Sequence, residues 1–595
     1  MDLINQYMAA QGGTQLAISV WLAQPEKKPP QPRPVILVTT RYWRAINFQV
    51  NRPEQQGYHG FAELIHQQGY RLVVADARGS GASFGSRQAE VDHHEVSDLH
   101  DIIDWLSQQP WCDGRVITTG TSYSAITTLY SLVSDSKALA GGVCRAPDFD
   151  MYRHLFAPGG IINRWFITAW GRLTAAQDAN DVEAVFAGGY FPAPKEGINH
   201  ILGVKPVDTD HDQQQLAAAV GQHATNFNIA NVIDDLDYID QFITDKNPQV
   251  YDSLYQAAIE TNEKPLIIRC GWHDAGTALG ALAMYATFTH PIHIILGPFN
   301  HDGSHHVDPF LAEGQATEAK GGMDEGRGWR MDGFKSLLDR QAETPLPKTD
   351  SFRCVEYYTL GENRWKTTQQ WPLPETLMQR YYFAENNRLE TTRPVNEQGQ
   401  DHYQVDLDAS TGTANRWHAQ ASEQPVLFPD RRNEDGKLIV YDSEPLAADL
   451  EITGHPIVTL FVTSSTADGH FFVYLESIDP DGRVRLLTEG QLRALHRKVS
   501  TDRPPYTFFG PYHSLKAKDA QPLTPDEMTE ISFDLLPLSV RLTKGQRLRI
   551  AIAGADKDTF APLQDCSNQR ITIERNRVHA SCIDLPTIPA AGEKP

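Results

Sequence analysis

Between residues 34 and 147 the chain repeats one pattern: a short, near-continuous apolar run, a glycine or polar turn, then a helical stretch. The runs are PVILVTT (34–40), YRLVVADARG (70–79), GRVITTG (114–120) and LAGGVCRAP (139–147). Runs without apolar–polar alternation suit strands covered on both faces of a parallel sheet. Between the second and third, DLHDIIDWLSQQ sets Leu99, Ile102, Ile103 and Leu106 at i, i+3, i+4 and i+7, a single apolar helical stripe. Strands alternating with amphipathic helices predict α/β architecture.

From about 148 to 255 the pattern turns helical and aromatic, in MYRHLF, INRWFITAW, VEAVFAGGYF, QQLAAAVGQHA and IDDLDYIDQF. The strand pattern then returns in KPLIIRCGWHD (264–274) and PIHIILGPFNHD (291–302), as though one sheet resumes after an insertion. Beyond the proline-bearing linker QAETPLPKTD (341–350), short strand-like runs such as FRCVEYYTL, PIVTLFVTSS and QRLRIAIAG recur without intervening helices. That spacing predicts a β-sandwich or jelly roll. The expected organisation is therefore a core over 1–147 and 256–343, a helical cap over 148–255, a jelly roll of galactose-binding type over 350–586, and a disordered tail over 587–595.

Composition narrows the function classes. The formal net charge of -22 repels phosphate backbones and anionic lipid, and no basic run with interleaved aromatics offsets it. Neither a nucleic-acid nor a membrane partner is expected. The first residues carry no positively charged leader pattern, no apolar run is long enough to span a membrane, and the expected address is the cytoplasm. Cysteines at 112, 144, 270, 354, 566 and 582 include no C-x-x-C pair. They are expected to be free, mostly buried thiols rather than a zinc or redox motif.

Two serines compete for a catalytic role. Ser83, in GASFG, satisfies the G-x-S-x-G pattern of a nucleophile elbow, whereas Ser122, in GTSYSA, does not. The elbow requires a strand entering the serine and a helix leaving it. After Ser83 comes the polar SRQAEVDHHEVSD, with no apolar face before Leu99, so GASFG reads as a glycine turn. Ser122 follows RVITT and precedes SAITTLYSLV, in which Ala125, Ile126, Leu129 and Leu132 form a helical stripe. Its hydroxyl needs a base to take the proton and an acid to orient that base. Asp274 and His301 each close a buried-strand run downstream, in the order serine, acid, histidine. His273, Asp302, His305 and His306 lie beside them, and the run HDGSHH lacks a metal-ligand spacing.

The residues DARGSGAS, DWLSQQPWCDGRVITTGTSYSA, GWHD and GPFNH resemble the bacterial cocaine esterase and X-Pro dipeptidyl-peptidase family of serine hydrolases. NRWKTTQQWPLP, DSEPLAADLEITGHP, TEGQLRALHR and KGQRLRIAIAGAD resemble that family's C-terminal jelly roll, so the likeness spans the chain apart from the cap. The resemblance implies an α/β-hydrolase core with a cap and a jelly roll around one active site. It implies Ser122 as nucleophile, Asp274 and His301 as its partners, and an oxyanion hole from the Tyr42 hydroxyl and the Tyr123 backbone N–H. The departure is Ala125, where the family usually writes glycine.

The expected activity is hydrolysis of a small-molecule ester through an acyl-enzyme, with no metal or organic cofactor. Tyr152, Phe156, Trp165, Phe166 and Trp170 are candidate walls for an apolar acyl group. An amidase or acylase is the second reading; X-Pro peptidase ranks below esterase, because those peptidases carry an additional N-terminal domain and this core pattern begins near residue 14. An α-amino acyl substrate would need a carboxylate near the site; Ser124 and Ala125 offer none, which leaves the cap as its source. A carbohydrate-binding protein on a lapsed hydrolase scaffold is the third. Assembly into a homo-oligomer is left open.

Overall fold

A computed structural model of the chain describes all residues except 23–30, 51–52, 188–199, 243–248, 312–316, 319–321, 343–351, 422–424, 564–565, 567 and 590–595. Ten strands form one sheet: β1 Asp2–Ala9, β2 Gln15–Leu22, β3 Arg33–Thr40, β4 Arg71–Asp76, β5 Cys112–Thr121, β6 Leu139–Arg145, β7 Leu266–Gly271, β8 Ile292–Gly297, β9 Cys354–Thr359 and β10 Arg364–Thr368. They lie in the order β1-β2-β4-β3-β5-β6-β7-β8-β9-β10. The first two are antiparallel, β3 to β9 run parallel, and β10 folds back on β9 as a hairpin. All six residues of β4 are buried, as are all but the first of β3, because helices cover both faces.

The covering helices include α1 His59–Gln67, α2 His93–Ser107, α3 Tyr123–Ser131, α4 Arg164–Asp178 in the insertion, α5 Thr277–Thr287 and α6 Gly322–Ala342. The stripe Leu99, Ile102, Ile103 and Leu106 of α2 is at most 1% exposed. Asp92 caps that helix by accepting the N–H groups of His94 and Glu95. Among the described residues no helix is long and apolar enough to cross a membrane, and all six cysteines are free and buried.

The structure departs from expectation in four places. The insertion is not wholly helical: Ile201–Val204 pairs antiparallel with Ile46–Phe48, a ladder too short to leave a periodic signal. A helix over Ser253–Asn262 runs through the expected return at 256, and β7 begins only at Leu266. FRCVEYYTL and its neighbour belong to the core sheet as β9 and β10, since β9 completes the parallel edge of β8. The linker before them, 343–351, and the last residues, 590–595, lie outside the described residues. The final strand, Cys582–Ile588, takes in two residues of the expected tail.

From Leu377 onward the chain forms a thirteen-stranded β assembly. Ile457–Ser464 alternates half-exposed and buried positions, as a strand with one covered face should, whereas His470–Ile478 is buried almost throughout. The end of β9 is stitched to this assembly: Leu360 N–H donates to Ser539 C=O at 2.9 Å and Arg541 N–H to Leu360 C=O at 2.8 Å. The α/β core and the β-rich domain therefore share a hydrogen-bonded seam.

Candidate active site

Ser122 stands between β5 and α3 with φ 59° and ψ -127°. A non-glycine residue in that region costs about 1–3 kcal/mol and persists only where its surroundings enforce it. Here the Ser122 N–H donates to Arg145 C=O at 3.2 Å, and its own carbonyl accepts from Ala125 and Ile126 at 2.8 and 3.0 Å. A side chain at Gly120 would meet Ser124 Cβ at 2.3 Å, so the close turn depends on that glycine. Ala125, by contrast, lies fully buried inside α3.

Ser83 has a different situation. It is fully buried, its Oγ accepts from Ala17 N–H and donates to Asp76 C=O, both at 2.8 Å, and no helix follows it. The glycines around it take φ values of 65°, 56° and 92° at 79, 81 and 85. A Cβ at Gly81 would sit 2.3 Å from the Asp76 carboxylate, which is itself salt-bridged to buried Arg44 at 2.9 Å. GASFG is a structural staple over that ion pair.

Asp274 and His301 follow β7 and β8 at the sheet edge that also holds Ser122. His301 Nδ1–H donates to both oxygens of Asp274, at 2.9 and 3.1 Å. Because a carboxylate only accepts, this bond puts the proton on Nδ1 and leaves Nε2 as the acceptor of the neutral ring. Among the described residues Nε2 is buried without a hydrogen-bond partner. Burial works against charging His301, but Asp274, Asp148 and Asp302 outweigh it and raise its pKa. Thr277 Oγ donates to Asp274 Oδ2 at 3.2 Å, and the buried guanidiniums of Arg145 and Arg416 both sense the same carboxylate.

The Tyr42 hydroxyl lies close enough to the Ser122 side chain for the two to interact, and it accepts the Trp170 Nε1–H at 2.9 Å. Burial raises the Tyr42 pKa, which keeps the phenol protonated and able to donate. Behind it, the Arg41 guanidinium lies over the rings of Trp170 and Tyr123, 4.9 and 5.5 Å from their centroids. Arg41 is tied to Glu90 at 2.7 Å, and the Tyr123 hydroxyl donates to Glu95 at 2.7 Å. This buried polar network fixes the residues flanking the serine.

The neighbouring histidines have other employments. His273 is buried against Leu487 C=O at 2.8 Å and is held neutral, its pKa lowered by burial to about 3. His305 Nδ1 bonds Ser304 Oγ at 2.7 Å, and His306 Nε2 lies 3.8 Å from Asp308. Asp302 accepts from Ser304. Of the five cap aromatics, Tyr152, Phe156 and Phe166 pack within a closed cluster, with Phe156 6.2 Å from Phe166 and Tyr152 5.4 Å from Phe242. Trp165 stacks on His418 at 3.8 Å. Trp170 alone of the five bonds to a candidate site residue. A partly open cavity of about 100 Å³ between α5, the cap and the β-rich domain is lined by Arg153, Leu279, Tyr506 and Phe508 and does not include Ser122 or His301.

Sequence reasoning missed Asp148, Arg41 and the role of Trp170. Asp148 follows β6 at the same sheet edge, interacts with His301 and Asp274, and has its pKa raised by burial to about 7. Its position at a strand's C-terminal end was the available signal.

Two family models cover the two halves of the chain: X-Pro dipeptidyl-peptidase (S15 family) over residues 12–303 and the X-Pro dipeptidyl-peptidase C-terminal non-catalytic domain over 348–581. A protein described as a serine esterase in Mycobacterium bovis is 35% identical over 619 residues, covering 98% of this chain and 95% of that one. The chain belongs to the cocaine esterase and X-Pro dipeptidyl-peptidase-like (CocE/NonD) family of serine hydrolases. The cocaine esterase of a Rhodococcus species is 23% identical over 621 residues, covering 99% of this chain and 96% of its own. The crystal structure of a CocE/NonD family hydrolase from Staphylococcus aureus superposes with TM-score 0.69 at 16% identity, covering 98% and 94% of the two chains. This member is an enzyme, with an α/β-hydrolase core and a β-rich C-terminal domain.

Proposed function

We propose that the chain hydrolyses small carboxylic esters, with Ser122 as nucleophile, His301 as base, Asp274 as its orienting acid, and the Tyr42 hydroxyl with the Tyr123 N–H as oxyanion donors. The observation that carries the reading is the doubly accepted His301–Asp274 bond, with Nε2 left unengaged, on the edge that holds a positive-φ serine at a strand-to-helix turn. His301 Nε2 takes the hydroxyl proton as Oγ attacks the ester carbonyl. The oxyanion is met by two donors, the imidazolium returns its proton to the leaving alkoxide, and water repeats the cycle on the acyl-enzyme. Trp170 orients Tyr42 while Arg41 and Glu90 brace the wall behind both.

A second reading, cleavage of α-amino acyl esters or amides, is favoured by Asp148, a buried carboxyl beside His301 that could pair with a substrate ammonium. Its raised pKa weakens that pairing below neutral pH. A matched panel of esters and amides, with and without an α-amino group, tests both. Turnover of plain acyl esters at rates above their amides supports the first reading; turnover confined to α-amino substrates would replace it with the second.

A further inference from the structure

The opposite end of the same sheet carries an unassigned cluster. In the parallel pair β8–β9, His293 lies opposite Cys354 and Ile295 opposite Glu356. Strand alternation sends His293, Cys354 and Glu356 to one face, while Ile292, Ile294, Val355 and Tyr357 are buried on the other. One nitrogen of His293, the Cys354 sulfur and a Glu356 oxygen all lie within 4.8 Å of one another. His293 Nε2 is 2.8 Å from Glu356 Oε1.

An ion pair joins the imidazole to the carboxylate, and the Cys354 side chain also interacts with His293, so three different donor groups converge on one point. Imidazole, thiolate and carboxylate are together the donor set of zinc. We infer that His293, Cys354 and Glu356 form a zinc-binding site with three protein ligands and water in the fourth position. Tetrahedral bonds of 2.0–2.3 Å set ligand atoms about 3.3–3.8 Å apart, so the ion needs an opening of the 2.8 Å His293–Glu356 contact, with the sulfur already within 4.8 Å of both. The His293 and Glu356 side chains are 20% and 41% exposed, which gives the ion a path, while buried Cys354 forms the floor.

The position argues for a structural rather than a catalytic ion. From His293 to Gly297, the end of β8, the strand advances about 13 Å, and His301 lies beyond that. The ion would instead pin β9, the strand whose end is stitched to the β-rich domain, to the core. It would bind the folded chain and raise its unfolding temperature by mass action.

The test uses the full-length protein, stripped with chelator and titrated separately with Zn²⁺ and Co²⁺. One equivalent of Zn²⁺ should bind and raise the unfolding midpoint, and Co²⁺ should give a near-ultraviolet thiolate-to-cobalt charge-transfer band. Cys354→Ser should abolish the band. His293→Gln and Glu356→Gln, at partly exposed positions, should each weaken zinc binding by at least the about 10–100-fold that loss of an outer-shell partner costs elsewhere. Ester turnover should survive chelation. A band that persists in Cys354→Ser, zinc binding equal in all three variants, or no uptake of one equivalent by the folded wild type would each overturn the assignment. If Cys354→Ser does not fold, Glu356→Gln decides alone, with undiminished affinity counting against the site.

Discussion

Two loops at one sheet edge each present a serine among small residues, and they have opposite physical character. Ser83 is fully buried, with its hydroxyl engaged by two backbone groups. Ser122 is half-buried and held at positive φ, with its side chain beside the Tyr42 phenol. The loop matching the five-residue pattern has its hydroxyl satisfied by the backbone, while the mismatched one is strained and sits beside a tyrosine. Ser122, the proposed nucleophile, is set apart from Ser83 by its backbone strain, which neighbouring carbonyls and N–H groups enforce.

The sharpest way to break this contrast is to exchange the losses. Ser122→Ala should lower kcat by about 10⁶ if the three groups act as a unit, with unfolding unchanged in urea. Ser83→Ala should keep most turnover but lose about 1–3 kcal/mol of stability, because it leaves the Ala17 N–H and the Asp76 carbonyl unpaired in the interior. Activity lost in Ser83→Ala at unchanged stability would reverse the contrast.

The partners extend it. Asp274→Asn should cost about 10⁴ in kcat by favouring the wrong imidazole tautomer, measured with a plain ester, whereas His305→Ala and His306→Ala should leave turnover near wild type. Tyr42→Phe should lower kcat about 10²–10³-fold with little change in KM; a rise in KM alone would make Tyr42 a binding residue.

The smallest effect is on pH. As the proposed base His301 must be neutral to accept a proton, and its pKa is raised above the ordinary 6.5. The kcat/KM should therefore climb with pH through a midpoint above 6.5. Asp148→Asn removes one of the negative charges that stabilise the imidazolium, so the acid limb should move to lower pH. A limb unmoved in that variant would remove Asp148 from the electrostatics of the base.

What was legible in the chain follows from how locally it is encoded. The parallel strands, the strand-to-helix turn at Ser122 and the edge positions of Asp274 and His301 are each written in one contiguous run with its own periodicity. The brace around the site is not: Trp170 meets Tyr42 across 128 residues, and Arg41 meets Glu90 across 49. Each looks locally like ordinary aromatic or charged filler. The same holds for β9, whose composition matches a sandwich strand and whose membership of the core sheet is decided by its partner β8. The His293, Cys354 and Glu356 cluster escapes motif reading for that reason, since register rather than spacing brings its members together.

The contrast between the serines is most directly tested by labelling the protein with a fluorophosphonate probe and mapping the modified peptide by mass spectrometry. The label should fall on Ser122, within VITTGTSYSAITTLY, and should disappear in Ser122→Ala while persisting in Ser83→Ala. A label on Ser83, within GASFG, would contradict the assignment of the nucleophile and, with it, the roles given to Tyr42, Asp274 and His301.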